Sequence, residues 1–514
     1  MTRPNILFVM FDQMAALSLP SYGQKLVKTP HLDSLAARAT VFENAYCASP
    51  LCSPSRFALM SGCLPSRIGA YDNATEFPSG IPTIPHYLRA AGYRTCLSGK
   101  MDFTGADQLH GYEERLTTDL SPADFGWVPN WDQPEEIQPW YHTLQSVAEA
   151  GPCDYSLSMQ YDEEAVFKAE QWLHQAAGSP DGRPFMLTVS VMHPHDPYQA
   201  PRRFWDLYDE AAIDAPVLPN LPPDQRDAMG RQMYRLYDRG EIPLTAAQIR
   251  RARHAYYAMI SYCDDMLGRL LQRLDVLGLR DNTIVVVTSD HGDMLGERGL
   301  WYKMAFYDRA IRVPLIVAGP HVKPGQRLSA PVSHLDLLPT LGGLAQDGWR
   351  QKEGSFSAVS PVDGRDLRSA LMQGTEPEGD VIGEYMGEGY DQPIVMIRRG
   401  SRKFVYSRQL GAILYDLADD ARESRDLAAQ AAYLGEIEAL TAEVESRWDL
   451  TALRAAVLES QRRRRFIHQA LIQGRIAPWD YEPRVDASAQ YYRNYGLDLP
   501  DPDRALRLPR NAIT

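Results

Sequence analysis

Five consecutive residues, Cys52-Ser53-Pro54-Ser55-Arg56, hold a thiol and a guanidinium at the spacing Cys-x-Pro-x-Arg. Alone, such a cysteine reads as a small buried hydrophobe and the string as an ordinary Ser/Pro turn. Residues elsewhere change that reading. Asp12 directly follows the apolar run Asn5 to Phe11, and Asp290-His291 follows the run Thr283 to Ser289. Carboxylates suit hard divalent cations, and an imidazole shifts preference toward Mn2+ or Zn2+. Asp12, Asp290 and His291 therefore form a candidate metal site. Arg56, Lys100 and Lys303 are candidate cations for an anionic group, arginine as a fork and lysine as a point charge. His193 is the candidate general acid for a leaving oxygen. Each residue has a structural explanation on its own; their joint presence points to metal-assisted chemistry on an anionic ester.

Such residues need elements that bring them together. Asn5 to Phe11, Phe185 to Val191, Thr283 to Ser289 and Pro314 to Ala318 read as buried parallel strands. Thr29 to Ala39 and Thr245 to Leu274 read as helices between them, each opening on a threonine able to cap it. The alternation predicts an α/β fold with a mostly parallel sheet sandwiched by helices. In such sheets ligands gather beyond the carboxyl ends of strands. Asp12-Gln13, His193 with His195, and Asp290-His291 all fall there. This α/β part is expected over residues 1–375, ending near the linker-like stretch Gln373 to Glu378. Val395 to Arg398 and Lys403 to Tyr406, joined by Arg399-Gly400-Ser401, predict a small antiparallel sheet in an α+β subdomain over 376–450. Residues 451–514 are expected to hold a helix and an aromatic tail with Trp479, Tyr481, Tyr491, Tyr492 and Tyr495, packed on its own subunit or a neighbour. The run Arg462 to Arg465 reads as a solvated or salt-bridged face.

Composition narrows the partners. A chain of 514 residues with 44% hydrophobic and 23% charged residues matches ordinary globular proteins. Its net charge of −13 disfavours nucleic acid and anionic membrane, and is compatible with a cationic substrate. No apolar stretch approaches the roughly 18 residues of a membrane span. The six cysteines have no disulfide or zinc-site spacing. With no signal-peptide pattern at the start of the sequence, the expected location is cytoplasmic.

Longer strings carry a resemblance. Ser49 to Arg56, Asp107-Gln108-Leu109-His110-Gly111, Glu114 to Asp119, Pro122 to Trp127, His193-Pro194-His195-Asp196-Pro197-Tyr198 and Ser289 to Trp301 resemble the type I sulfatases of the alkaline phosphatase superfamily. So do Trp479-Asp480-Tyr481 and Tyr492-Arg493-Asn494 in the tail. Within that family the pattern is most similar to the bacterial choline sulfatases. The resemblance implies that Cys52 is oxidised to formylglycine by a maturation enzyme. One oxygen of the aldehyde hydrate would attack sulfur, and the other would expel the sulfate. It implies a metal site of Asp12, Cys52, Asp290 and His291, with Gln13 as a further ligand candidate and Ca2+ ahead of Mn2+. Arg56 would support the hydrate, Lys100 and Lys303 would bind sulfate, and His193 would protonate the alcohol. Trp127, His142 and Glu384 would hold a quaternary ammonium, with Asn494 or Asp498 of the tail contributing across a dimer or tetramer.

One position departs from the family pattern. Where the family reads Gly-Lys-x-His, this chain reads Gly99-Lys100-Met101-Asp102. Asp102 can accept a proton but brings no positive charge. The expected activity is hydrolysis of choline sulfate or a close alkyl sulfate. The alternatives are an arylsulfatase or phosphonate monoester/phosphodiester hydrolase on the same site, or a weakened homologue that binds a small ligand.

Overall fold

The computed structural model describes residues 3–120, 124–179, 181–218, 220–237, 243–347 and 356–474. Residues 1–475 make one compact unit, and 476–514 are a second unit outside the described residues.

Eight strands form the main sheet: β1 (Asn5–Phe11), β2 (Thr40–Phe42), β3 (Arg94–Gly99), β4 (Glu114–Arg115), β5 (Phe185–Val191), β6 (Thr283–Ser289), β7 (Leu315–Ala318) and β8 (Gln326–Leu328). Their order is β8-β2-β7-β6-β1-β5-β3-β4. The centre is parallel: β1 pairs with β6 and β5, and β5 with β3. All seven residues of β1, β5 and β6 are buried. Successive side chains point to opposite faces, so both faces of the sheet centre are covered. This matches the α/β expectation. The strand expected at Pro314 to Ala318 is not parallel. It runs antiparallel to β6, with Ile316 opposite Val287. A parallel return needs a crossover, usually through a helix. Between β6 and β7 lie loops, the 3₁₀ turn Glu297–Gly299, one four-residue α-helix, Asp308–Ile311, and the two-residue strand Arg312–Val313.

Six helices matter to the site: α1 (Pro30–Ala36), α2 (Cys52–Ser61), α3 (Leu157–Ala177), α4 (Ala246–Val276), α5 (Leu434–Arg447) and α6 (Leu450–Leu471). Thr245 caps α4 through the Gln248 amide N–H in a capping box. Thr29 does not cap α1 with its side chain; its hydroxyl bonds Asp33 instead, and Pro30 opens the helix.

The expected hairpin is the middle of a four-stranded antiparallel sheet, β9 (Val381–Tyr385), β10 (Ile394–Arg399), β11 (Arg402–Ser407) and β12 (Gly411–Asp416), in sequential order. Its two faces divide by strand alternation. Val395, Ile397, Phe404 and Leu414 form a core with Leu440, Val444 and Trp448. Met396, Val405, Ile413 and Tyr415 join the main core. Buried Lys403, on the second face, donates to Asp308, Glu423 and the Phe306 carbonyl. No described helix is long and apolar enough to cross a membrane.

Candidate active site

Four neighbouring strands release polar residues at one end of the sheet. Asp12 and Gln13 follow β1, Lys100 follows β3, His193 and His195 follow β5, and Asp290-His291 follows β6. Backbone conformation fixes two of these exits. Gly99 has φ +106°, and a Cβ there would lie 1.8 Å from the Ser190 carbonyl oxygen, so β3 can approach β5 only through glycine. A Cβ on Gly292 would lie 2.0 Å from the Arg309 carbonyl, so the turn after His291 is equally constrained.

Cys52 opens α2, a helix whose ten residues are all buried. Its Sγ lies 3.1 Å from His291 Nε2. One ligand atom from each of Asp12, Cys52, Asp290 and His291 falls within 4.8 Å of the others. The expected metal ligands thus converge. His291 Nδ1 lies 3.1 Å from the Gly292 carbonyl oxygen, and that contact makes it the donor and leaves Nε2 as the lone pair facing the cluster. Burial pushes the His291 imidazole down to about 4, so it is neutral and able to ligate. Burial alone would raise the Asp12 carboxyl; Lys100, His195 and Arg56 outweigh it and hold that group well below the usual range. Asp290 is likewise lowered against its burial, chiefly by Arg56. Burial pushes the Cys52 thiol up to about 12, so the unmodified sulfur is a poor nucleophile.

Arg56 organises the two carboxylates. Its Nε donates to Asp290 at 2.9 Å, one terminal nitrogen donates to Asp12 at 3.2 Å, and the other donates to the Lys100 carbonyl at 2.7 Å. Lys100 pairs with Asp12 and, at 3.4 Å, with Asp102. Asp102 therefore stands between two cations, with Arg56 at 3.6 Å. Burial pushes its carboxyl up to about 6 despite Lys100 and Arg56. Lys303 donates to the Gln13 side-chain oxygen at 2.6 Å and lies 2.6 Å from His195 Nε2. Gln13 sits beside the four-residue cluster, its amide nitrogen donating to Asp293 at 2.6 Å.

Two expectations are corrected. His193 is engaged by other partners: its Nδ1 meets Asp162 at 2.6 Å, its backbone N–H donates to that carboxylate, and its ring meets Tyr262 edge-on. His195, two residues further on, is the imidazole at the cluster. Glu384 does not face the site. Its carboxylate accepts from the Ser66 N–H at 2.7 Å, the Ser66 hydroxyl at 2.8 Å and the Trp448 indole at 2.6 Å, joining the helix Pro65–Ile68 to α5. Glu388, four residues on, is buried and pushed up to about 7 by burial, with Lys303 opposing and Asp72 adding to the rise. Sequence reasoning gave no role to Glu388, Asp72 or His195. Only His195 had a signal, its place in the His193-Pro194-His195 string.

The residues expected to hold the ammonium lie among aromatic rings. Trp127, half-buried, stacks on Trp140 at 6.4 Å, and Trp140 meets Tyr141 edge-on at 4.5 Å. The His142 ring lies 4.5 Å from Tyr302 and 6.4 Å from His195. Of the two expected residues, His142 meets His195 and Asp196, and Trp127 packs on Trp140. Asn494 and Asp498 lie outside the described residues. The six cysteines are all unpaired.

Known proteins are similar to this chain. A family model described as Sulfatase matches residues 4–347, and one described as Choline sulfatase enzyme C terminal matches 455–507. A choline-sulfatase of Rhizobium meliloti (strain 1021) is 43% identical over 515 residues, 99% of each chain. Human iduronate 2-sulfatase is 32% identical over 365 residues, 66% of this chain and 62% of its own. The fold matches that of a phosphonate monoester hydrolase of Agrobacterium radiobacter, with TM-score 0.68 and 23% identity over 89% of this chain and 96% of the other. It also matches a putative sulfatase from Bacteroides thetaiotaomicron VPI-5482, with TM-score 0.66 and 23% identity over 87% and 92%. A matched family model over more than half its length, together with a full-length relative, places this chain in the sulfatase family of sulfuric ester hydrolases.

Proposed function

We propose that the chain hydrolyses choline sulfate to choline and sulfate, with Cys52, oxidised to formylglycine by a maturation enzyme, as the reacting residue. The raised thiol of Cys52 supports this, because a protonated, buried sulfur is unsuited to attack while an aldehyde hydrate supplies an oxygen nucleophile. Asp12, Asp290, His291 and an oxygen on residue 52 would hold one divalent cation, Ca2+ ahead of Mn2+, which supplies Lewis-acid polarisation of the sulfate. The fit rests on the donors themselves: two buried carboxylates, a neutral imidazole, and Asp12 Oδ1, a buried acceptor with no hydrogen-bond partner. Arg56 fixes both carboxylates in place. Lys100 and Lys303 bring positive charge to the sulfate, and the Lys303–His195 pair holds the proton for the departing alcohol oxygen. Asp102, paired with Lys100, is the nearby carboxylate able to take a proton when sulfate leaves.

The observation that carries the choline assignment is Glu388. Glu388 is buried, and the Gly387 carbonyl just before it accepts from the Trp131 indole, so a carboxyl that favours a cation stands beside the Trp127–Trp131 segment. The Trp127 face adds a cation–π surface for a trimethylammonium group. The choline-sulfatase relative, similar from end to end, supports the same substrate. On this reading the chain works in the cytoplasm, where unpaired cysteines persist, as a homo-oligomer. Steady-state kinetics on choline sulfate, 4-nitrophenyl sulfate and bis(4-nitrophenyl) phosphate test it. The expected result is the highest kcat/KM on choline sulfate. Faster turnover of the phosphodiester would overturn the assignment in favour of a phosphorus substrate.

A further inference from the structure

The segments that form the alcohol end are far apart in sequence: residues 71–74, 125–131 and 386–388. One element touches all of them. The inner face of α6 places Val457 and Leu458 in an apolar cluster with Trp131 and Met386, against Tyr71 and Leu453. Nearly three turns later, Ile467 packs with Trp127 against Phe125, Val128 and Ala74. A Cβ on Gly126 would lie 3.2 Å from the His468 ring, so the turn Phe125–Trp127 sits close against the helix.

Polar contacts fix the same three segments. Gln461, fully buried, accepts from the Trp131 backbone N–H at 2.9 Å. The Trp131 indole donates to the Gly387 carbonyl at 3.1 Å, one residue before Glu388. Arg464 makes a two-pronged pair with Asp72, at 2.6 and 2.8 Å, and its Nε donates to Ser460 at 3.1 Å. Arg464 and Asp72 are both buried, and Asp72 also accepts from the Ala74 N–H at 3.0 Å and the Thr75 hydroxyl at 3.3 Å. Asp72 is one of the charges that raise Glu388, and both carboxylates raise the Tyr141 phenol. The arginine run is therefore not one solvated face. At about 100° per residue a helix sends its four members in different directions. Arg462 and Arg465 pair with Asp132, Arg463 with Glu459, and Arg464 alone turns inward.

We propose that Arg464 and Gln461 are positioning residues for substrate specificity: through Asp72 and Trp131 they hold Glu388 and the Trp127 turn at the spacing that accepts a quaternary ammonium. This inference rests on the choline-ester reading above. The arrangement makes α6 part of the binding wall, and a change on α6 alters which alcohol is accepted while leaving cleavage of the sulfate ester intact.

The test is steady-state kinetics of the full chain on choline sulfate and on 4-nitrophenyl sulfate, which carries no cation. The variants are Arg464→Met, Arg464→Lys and Gln461→Ala. Arg464→Met is expected to raise KM for choline sulfate roughly tenfold or more, the size of one displaced desolvated cation contact. Its kcat/KM on the aryl ester is expected to stay within about twofold, which also reports that the protein is folded. Arg464→Lys is expected to recover part of the loss, and Gln461→Ala to shift KM in the same direction. Equal loss on both esters, or no change on either, overturns the inference. Should Arg464→Met not fold, Arg464→Lys and Gln461→Ala carry the same comparison. A parent enzyme that prefers the aryl ester refutes the choline reading itself, whatever the variants do.

Discussion

The two ends of the site are built differently. The sulfate end is set by the sheet: Asp12, Lys100, His195 and Asp290 leave four adjacent parallel strands, and Arg56 ties the two carboxylates together. Its positions are fixed by buried strands whose register cannot slip without exposing core. The alcohol end is assembled from a 3₁₀ turn, loops and the C-terminal helix, held by Arg464–Asp72 and Gln461–Trp131. The difference separates reaction from substrate. On the proposed function, the sheet would fix which bond is broken, and the loops and α6 which ester enters.

Substitutions should divide along that line. The largest effect is expected from Cys52→Ala, which removes the reacting residue; kcat on both esters should fall on the order of 10⁶-fold, as for loss of a nucleophile elsewhere. A thermal melt should change little by comparison. Lys303→Met should lower kcat on choline sulfate and 4-nitrophenyl sulfate by about 10²- to 10³-fold, in equal measure, through loss of positive charge on the sulfate. Asp102→Asn should slow both esters by roughly 10²-fold if its carboxylate takes the proton as sulfate departs. Unequal losses on the two esters from either change would break the division. Trp127→Ala and Glu388→Gln should instead raise KM for choline sulfate by roughly tenfold while sparing the aryl ester, since a buried cation–π or carboxylate contact is worth about 1–2 kcal/mol. The smallest effect is a pH dependence. Burial raises the Glu388 carboxyl to about 7, so it is neutral below that pH and anionic above it. KM for choline sulfate should therefore fall as pH rises through about 7, and Glu388→Gln should flatten that limb. The aryl ester should lack it.

The same contrast governs what could be read from the chain. Asp12, Asp290 and His291 were legible because each directly follows an apolar strand run, and strand ends in a parallel sheet face one place. Thr283 to Ser289, with its valines, predicts a central strand, and the structure has it there. The direction of Leu315–Ala318 was not legible, because a short apolar run does not encode its partner's polarity. His193 and His195 differ by two residues, and only the turn after β5 decides which ring reaches Lys303 and which meets Asp162. Glu384 and Glu388 lie four apart across the end of β9, and pairing with Ser66 and Trp448 takes the first out of the site. The Arg464–Asp72 pair spans 392 positions, a separation no local pattern can report.

Mass spectrometry of the peptide containing Cys52, taken from a preparation that hydrolyses choline sulfate, tests the central claim most directly. The account predicts the mass of formylglycine at residue 52, in a fraction that rises in step with specific activity. Full activity in a sample whose residue 52 is an intact cysteine thiol would contradict it.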